Sequence, residues 1–485
     1  MTPSMLLLIA IPAVAALLLP MLGRWPNLRE SASLVAGASL FAGVASWIGP
    51  VIDGARPSIT LLQMLPGISI NFTLEPLGLM FALVASSLWV VTTVYAIGYM
   101  RGNNEAHQTR FYVCFALAIT AAMGVAFAGN LITLFVFYEM LTLSTYPLVT
   151  HKGTQVARDG GRTYLGILLT TSIGFLLPAI IITWVVAGTV DFVPGGILEG
   201  TLRPGLAGAL FALFLFGIGK AALMPFHRWL PAAMVAPTPV SALLHAVAVV
   251  KAGVFAVLKI TVYIFGIDFA DAGGFTTPMM WVAAFTLLVA SIVALTKDNL
   301  KARLAYSTIG QLAYIVLGAT MATSLGILGG ATHIVMHAFG KITLFFCAGA
   351  IYTAVHKTLV SELDGLGRVM PFTFVAFFIA ALSIIGLPPM GGTWSKWFLM
   401  TGAVDAGHLV LIAVLAVSSL LNIAYLLEIP LRAFFKPATQ GNSSGKLKEA
   451  PLMCVLPLSF TALCCIALFV YPQPLLALLA TWKPA

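Results

Sequence analysis

Leu213–Gly253 reads LFLFGIGKAALMPFHRWLPAAMVAPTPVSALLHAVAVVKAG, and it sets two lysines, Lys220 and Lys251, inside sequence apolar enough to lie in lipid. An ammonium at bilayer depth is costly, so it normally faces a partner or a hydrated cavity. Between the two lysines stand Pro225, Pro231, Pro237 and Pro239. Prolines at that depth free backbone groups, which other helices or water must then satisfy. A buried charge beside an interrupted helix suggests an ion path.

The rest of the chain fits that reading. It has 485 residues, 60% hydrophobic and 8% charged, with a mean hydropathy of +1.02. A soluble domain carries roughly 25% charged residues, so the chain reads as an all-α polytopic membrane protein. Cys114, Cys347, Cys454, Cys464 and Cys465 are scattered without a C-x-x-C pair, so no iron–sulfur or zinc site is expected. No G-x-x-x-x-G-K-[ST] occurs, which excludes a visible ATP site. No cofactor is expected, and nothing points to nucleic acid. Any uphill transport must draw on another gradient or another subunit. The segment after Met1-Thr2-Pro3 lacks a basic leader and a cleavage site, so it reads as mature structure.

Apolar stretches long enough to span a bilayer recur fourteen times along the chain. Between them, Val51 to Glu75 is the longest polar connection, and Lys436 to Ala450 reads as a flexible Gly/Ser/Lys loop. Basic residues test the count. Of the 25 lysines and arginines, 17 fall in odd-numbered connections, from Arg24 and Arg29 to Lys446 and Lys448. Only Arg56, Arg203 and Lys483 fall in even connections or at the ends. The positive-inside rule then places both termini outside, the periplasmic side of a bacterial inner membrane. The net charge of +9 follows from topology.

Five lysines remain inside apolar segments: Lys220, Lys251, Lys259, Lys341 and Lys396. Snorkelling to the interface is the plain alternative for such a residue, and Lys259, near the end of its segment, is the best case for it. Acids are few. Glu139 lies mid-way through the fifth segment and Glu428 near the end of the thirteenth. Glu139 is expected to pair with Lys220. In the eleventh segment His333, His337 and Lys341 recur at i, i+4, i+8, one stripe on a helix. Lone membrane histidines are often structural, but three titratable groups in line read better as a proton relay. His245, just past Pro237–Pro239, could feed it. Metal binding by His333 and His337 has the right spacing but no accompanying carboxylate. The twelfth segment repeats the opening arrangement, with Pro388-Pro389 and Gly391-Gly392 interrupting it beside Lys396. Two interrupted helices in corresponding places suggest an inverted repeat. The expected division is 1–110 (helices one to three), 111–265 (first five-helix repeat), 276–435 (second) and 451–485 (helix fourteen).

From about Phe111 to Phe435 the chain resembles the antiporter-like subunits shared by multisubunit Na⁺/H⁺ (Mrp-type) antiporters, respiratory complex I and membrane-bound hydrogenases. The resemblance is carried by Phe137–Met140 (FYEM), Gly219-Lys220 with Pro225–Pro231 (PFHRWLP), Pro237–His245 (PTPVSALLH) running on to Lys251-Ala252-Gly253, Leu304–Gln311 (LAYSTIGQ), and Gly386–Pro389 (GLPP) through Lys396. It implies fourteen core helices, broken helices seven and twelve, and a central hydrophilic axis. On that resemblance Glu139 and Lys220 are the glutamate–lysine pair, and Lys251 is the connecting lysine. His333, His337 and Lys341 are the middle of the axis, and Lys396 the lysine beside the exit.

Chain length resembles both a D-type cation/proton antiporter subunit and the M/N-type complex I subunits, the basic loop His151–Arg162 resembles the D-type, and the PTPVSALLH run is similar to the larger A/L-type subunits. The expected function is therefore a proton-translocating subunit of a multisubunit monovalent cation/proton antiporter, moving H⁺ while Na⁺ is expected to pass elsewhere. The alternatives are a proton-pumping subunit of a complex I-like NADH-quinone oxidoreductase or hydrogenase, and a membrane partner in inorganic carbon uptake. In each case the expected partners are other membrane subunits and the lipid bilayer. The chain is a transporter subunit, a translocase only as part of a redox enzyme.

Overall fold

A computed structural model describes residues 4–65, 68–438 and 447–482. Helices dominate. The first two are α1 (Met5–Leu18) and α2 (Pro26–Ala45). They lead through a hairpin, β1 (Ser58–Leu65) and β2 (Ile68–Thr73), to α3 (Pro76–Gly102), α4 (Gln108–Phe127) and α5 (Leu131–Val149). Next come α6 (Gln155–Ala187), α7 (Pro204–Gly217) and α8 (Thr238–Phe265). The second half holds α9 (Thr277–Leu295), α10 (Leu300–Thr320), α11 (Ser324–Val355), α12 (Pro371–Ile385), α13 (Gly392–Asp405), α14 (Val410–Phe435) and α15 (Leu452–Val470). Helices α12 and α13 are the two halves of the twelfth span, so the fourteen expected segments are all helical.

Polar caps start several spans. Asn130 accepts from the Thr133 N–H at the head of α5, Asn299 from Ala302 at α10, and Thr323 from Gly326 at α11. Each satisfies one of the orphan donors of a first helical turn.

The connection Val51–Glu75, read from sequence as a polar loop, forms instead the antiparallel hairpin β1–β2, with Ser58 opposite Thr73 and Leu65 opposite Ile68. The Asn71 carbonyl of β2 accepts from the Gly129 N–H, and the Asn71 N–H donates to Thr133 Oγ1, so the hairpin covers the α4–α5 corner. Residues 439–446, including Lys446, lie outside the described residues, as do Met1–Pro3 and Lys483; the Lys436–Ala450 loop is described only at its two ends.

Two helices hold the centre. The membrane window of α8 is fully buried and that of α11 is 94% buried, against 22% for α2 and 33% for α15. Helix α11 packs on α3, α10, α12, α13 and α15. Because α8 and α11 carry most of the suspected ionisable residues, those residues are placed where neither lipid nor bulk water reaches them.

Both interruptions are present. The seventh span ends at Gly217, and Gly219–Ala221 forms one tight 3₁₀ turn before the chain wanders to Trp229. The break thus begins earlier than Pro225. Pro237 and Pro239 do not break a helix but start one: Pro237 caps α8, and Thr238 and Pro239 open its first turn, where a missing N–H is harmless. The local faults in α8 are two π turns, one at Leu243–Val247 closed by Ala248 and one at its end, Thr261–Phe265. In the twelfth span Gly386, at φ +88°, ends α12 in a left-handed conformation that favours glycine.

Candidate functional site

Lys220 sits on the tight turn at the first break, fully buried. Its Nζ donates to the Tyr138 carbonyl oxygen at 2.8 Å and to Thr142 Oγ1 at 2.6 Å, and lies 3.2 Å from the centre of the Tyr138 ring. The Tyr138 hydroxyl in turn accepts from the Lys220 backbone N–H at 3.0 Å. Gly253 of α8 packs directly on this turn, where a Cβ would run into Lys220 and Ala221 backbone atoms. Close approach here requires glycine.

The expected Glu139–Lys220 ion pair is not made. Both Glu139 carboxylate oxygens lack a hydrogen-bond partner among the described residues, while the lysine is satisfied by the residues at 138 and 142. The reason is helical phase. Tyr138 and Thr142 are one turn apart on the α5 face toward Lys220, and Glu139 is rotated by roughly 100° from Tyr138. The carboxylate acts on Lys220 through space only.

Lys251, fully buried on α8, meets the α11 stripe: its Nζ is 2.6 Å from His337 Nδ1. The rings of His337 and His333 lie nearly parallel with centroids 6.0 Å apart. His333 Nδ1 is 2.8 Å from Ser395 Oγ on α13, and its Nε2 is 3.0 Å from Gln311 Oε1 on α10. Tyr314 of α10 lies against His333 with centroids 5.5 Å apart. The Tyr314 hydroxyl accepts from Lys396 Nζ at 3.3 Å. Lys396 also donates to the Ile385 carbonyl, freed by the second break, at 2.8 Å and to Ser419 Oγ at 2.9 Å. Lys341, one turn from His337 on α11, donates to Ser307 Oγ at 2.8 Å.

Lys251, His337, His333 and Lys396 are thus brought into one file, with Tyr314 linking the last two. His245 stands apart. It rests on Phe345, with centroids 4.6 Å apart, in the first π turn of α8, and neither ring nitrogen has a hydrogen-bond partner among the described residues. Lys220 meets α8 through backbone packing at Gly253, while its ammonium is taken up by Tyr138 and Thr142 of α5.

Lys259 does not snorkel. It is fully buried, with Nζ 3.1 Å from Glu75 Oε2 and 2.5 Å from the Ala128 carbonyl oxygen. Glu75 immediately precedes α3 and lines a cleft of about 750 Å³ with Arg56, Tyr263 and Trp482. The sequence alone gave no role to Tyr314, Ser395, Gln311 or Ser307. Ser307 and Gln311 lie in the run Leu304–Gln311, so a signal was there without a function attached.

Such a file of amines, imidazoles and hydroxyls can accept and release protons. Bare alkali cations would find few hard oxygen ligands in it.

A profile for the transmembrane part of the NADH:quinone oxidoreductase/Mrp antiporter family matches residues 128–422, which hold every residue of the file. The chain belongs to this family. It is 32% identical over 455 residues to the N subunit of NADH-quinone oxidoreductase from Desulforudis audaxviator, covering 92% of this chain and 89% of that protein. It is 30% identical over 482 residues to the A subunit of a Na⁺/H⁺ antiporter from Alkalihalophilus pseudofirmus, covering 91% and 58%. With the A/B subunit of a probable K⁺/H⁺ antiporter from Rhizobium meliloti it shares 31% over 433 residues, covering 85% and 41%. The chain therefore spans most of the first relative and about half of the other two. Among solved structures, one chain of an Mrp complex from a Dietzia species superposes with a TM-score of 0.87 at 23% identity, covering 98% of this chain and 96% of that one. A chain of the archaeal membrane-bound sulfane sulfur reductase superposes at 0.86, with 24% identity and the same coverage. These likenesses show the fold. The antiporter-like family and its multi-pass membrane architecture are thus established for this chain. The D-type assignment expected from length rests on the resemblance alone.

Proposed function

We infer that this protein is the proton-translocating membrane component of a multisubunit monovalent cation/proton antiporter, in a bacterial inner membrane with both termini on the periplasmic side. The observation that carries the reading is the Lys251–His337 contact at 2.6 Å, which ties the lysine beyond the first break to the stripe leading to the second. A proton taken up near Lys220, under the influence of Glu139, passes to Lys251, along His337 and His333 with Lys341 alongside, and leaves near Lys396. His245 serves as a side group of the same axis. The division into two five-helix repeats, 111–265 and 276–435, gives one broken helix to each end of this route.

Partners are the other membrane subunits that couple the route to a second ion. Similarity to A-type antiporter subunits supports this assembly. A second reading, a redox-driven complex I-like enzyme, is favoured by similarity over nearly the whole length of an NADH-quinone oxidoreductase N subunit. Co-purification decides between them: small multi-span subunits support the antiporter, quinone-site subunits the redox enzyme. The route itself is tested by proton flux in membrane vesicles carrying Lys251→Ala or Lys341→Ala. Loss of flux is expected, and undiminished flux in both would remove the proposal.

A further inference from the structure

Helix α14 carries a polar stripe that the route above does not use. Ser419, Asn422, Tyr425 and Glu428 recur every third residue, so each lies about a turn from the next and the series winds half-way round the helix as it runs from Lys396 toward the end of the bundle with the basic connections. At the upper end, Ser419 accepts from Lys396. In the middle, the buried Tyr425 hydroxyl is 2.9 Å from Ser307 Oγ, the same oxygen that accepts from Lys341 at 2.8 Å. The Tyr425 hydroxyl also meets the Asn422 amide oxygen, and Asn422 Nδ2 is fully buried with no partner among the described residues. At the lower end Glu428 is 37% exposed and borders a cleft of about 540 Å³.

Glu428 is held by Arg303 at 2.7 Å and by Arg432 at 3.1 Å, and Arg432 also binds Asp364 at 2.8 Å. Bridging two arginines accounts for a surface carboxylate. It does not account for a hydroxyl, an amide and a second hydroxyl buried between that carboxylate and a lysine. Nor does it account for the unpartnered Asn422 amide, since buried polar groups are normally satisfied, by ordered water if not by protein.

We propose that Glu428 is the surface end of a second proton-uptake route, which reaches Lys341 from the basic end of the bundle through Tyr425 and Ser307 without passing Lys220. This rests on the reading of the lysine–histidine file as a proton path. Glu428 takes a proton from solvent at the cleft. One helical turn separates Glu428 from Tyr425, a rise of about 5 Å that one water can bridge. Glu428 gives that proton to the water, held by the Asn422 amide, as the water gives one of its own to the Tyr425 oxygen and the Tyr425 hydroxyl gives its proton to Ser307. Ser307 gives its proton to the neutral Lys341 amine, which becomes the ammonium. Each hydroxyl gains one proton and loses one, and the net result is one proton moved from solvent to Lys341.

The test uses the assembled complex in native membrane vesicles, with proton flux and the abundance of the protein measured together. Tyr425→Phe keeps the ring and removes the hydroxyl; Ser307→Ala removes the next oxygen. Each is expected to lower flux severalfold at unchanged abundance. The double variant is expected to lose no more than either single, because both cut one path, whereas two separate packing defects would compound. Flux unchanged in both singles while Lys341→Ala still abolishes it overturns the second route and leaves the proposed function standing. Flux unchanged in Lys341→Ala overturns the second route, and flux unchanged in Lys251→Ala as well removes the proposed function with it.

Discussion

Lys251 Nζ and His337 Nδ1 stand 2.6 Å apart, joining α8 to α11 at the centre of the bundle. Two cations could not share that distance in a fully buried site, because their repulsion would be barely screened. At most one of the two therefore carries charge, and a single N–H lies between the amine and the imidazole. Charge on either group excludes charge on the other, which is the property the proposed route asks of this pair.

Replacing Lys251 by Met separates charge from packing. Methionine fills similar volume without a buried ion, so the variant should fold at least as well as the parent, since buried charges replaced by matched apolar groups are often neutral or stabilising. Proton flux should fall by about tenfold or more, in line with loss of a positioned acid–base group. Thermal melting in detergent and vesicle flux measure the two effects separately.

Tyr314 should matter for transfer rather than for folding. Its hydroxyl accepts from Lys396 and its ring lies on His333, so Tyr314→Phe removes the first contact and keeps the second. Flux should drop severalfold at normal protein abundance. Equal flux would place the step between His333 and Lys396 elsewhere, for example through Ser395.

Glu75 and Lys259 should behave as a structural pair. Removing one partner leaves the other charge buried and unpaired, with an expected loss of about 3–5 kcal/mol. The double variant Glu75→Gln/Lys259→Met should lose clearly less than the sum of the single losses, as a double-mutant cycle of thermal stability would record. Flux per folded molecule should stay unchanged, since neither residue lies on the file.

His151 sets an acid limb. It lies just beyond α5, buried against Phe111, and burial, reinforced by the Arg110 charge, pushes its imidazole down to about 4. The unfolded chain takes up its proton near the ordinary value of about 6.5, ahead of the folded one. Stability from this group is therefore complete above about 6.5 and is lost as pH falls from there toward 4. His151→Leu should flatten the melting temperature across that window relative to the parent, measured in the same detergent.

The spans and the stripe were legible in the sequence because their signals are local. About twenty apolar residues in a row mean a membrane helix wherever the chain goes, and i, i+4, i+8 spacing puts His333, His337 and Lys341 on one face whatever packs against it. The two interruptions were legible too, though misplaced: the first starts at Gly217, ahead of the prolines, because a glycine-rich turn ended the helix before Pro225 could. The hairpin at Ser58–Thr73 was missed although ISINFT alternates apolar and polar residues cleanly, because the whole Val51–Glu75 stretch was read as a polar connection between long apolar runs.

Partnership was a matter for tertiary structure alone. Glu139 and Lys220 looked like a pair because they are opposite charges in a chain with few acids, yet the phase of α5 gave the lysine to Tyr138 and Thr142. Lys259 looked like a snorkelling residue until Glu75, 184 positions earlier in the chain, was folded against it. Hydroxyls carry even less warning. A membrane serine or threonine commonly bonds a carbonyl one turn back in its own helix, as Thr308 does, and no periodicity marks the few that reach across. Ser307, Ser395, Tyr314 and Tyr425 cross to other helices only because of how those helices are rotated and stacked. Charge and hydropathy along the chain determined that this is a polytopic all-α membrane protein with expensive charges inside it. The rotation of each helix about its own axis decided which of those charges touch.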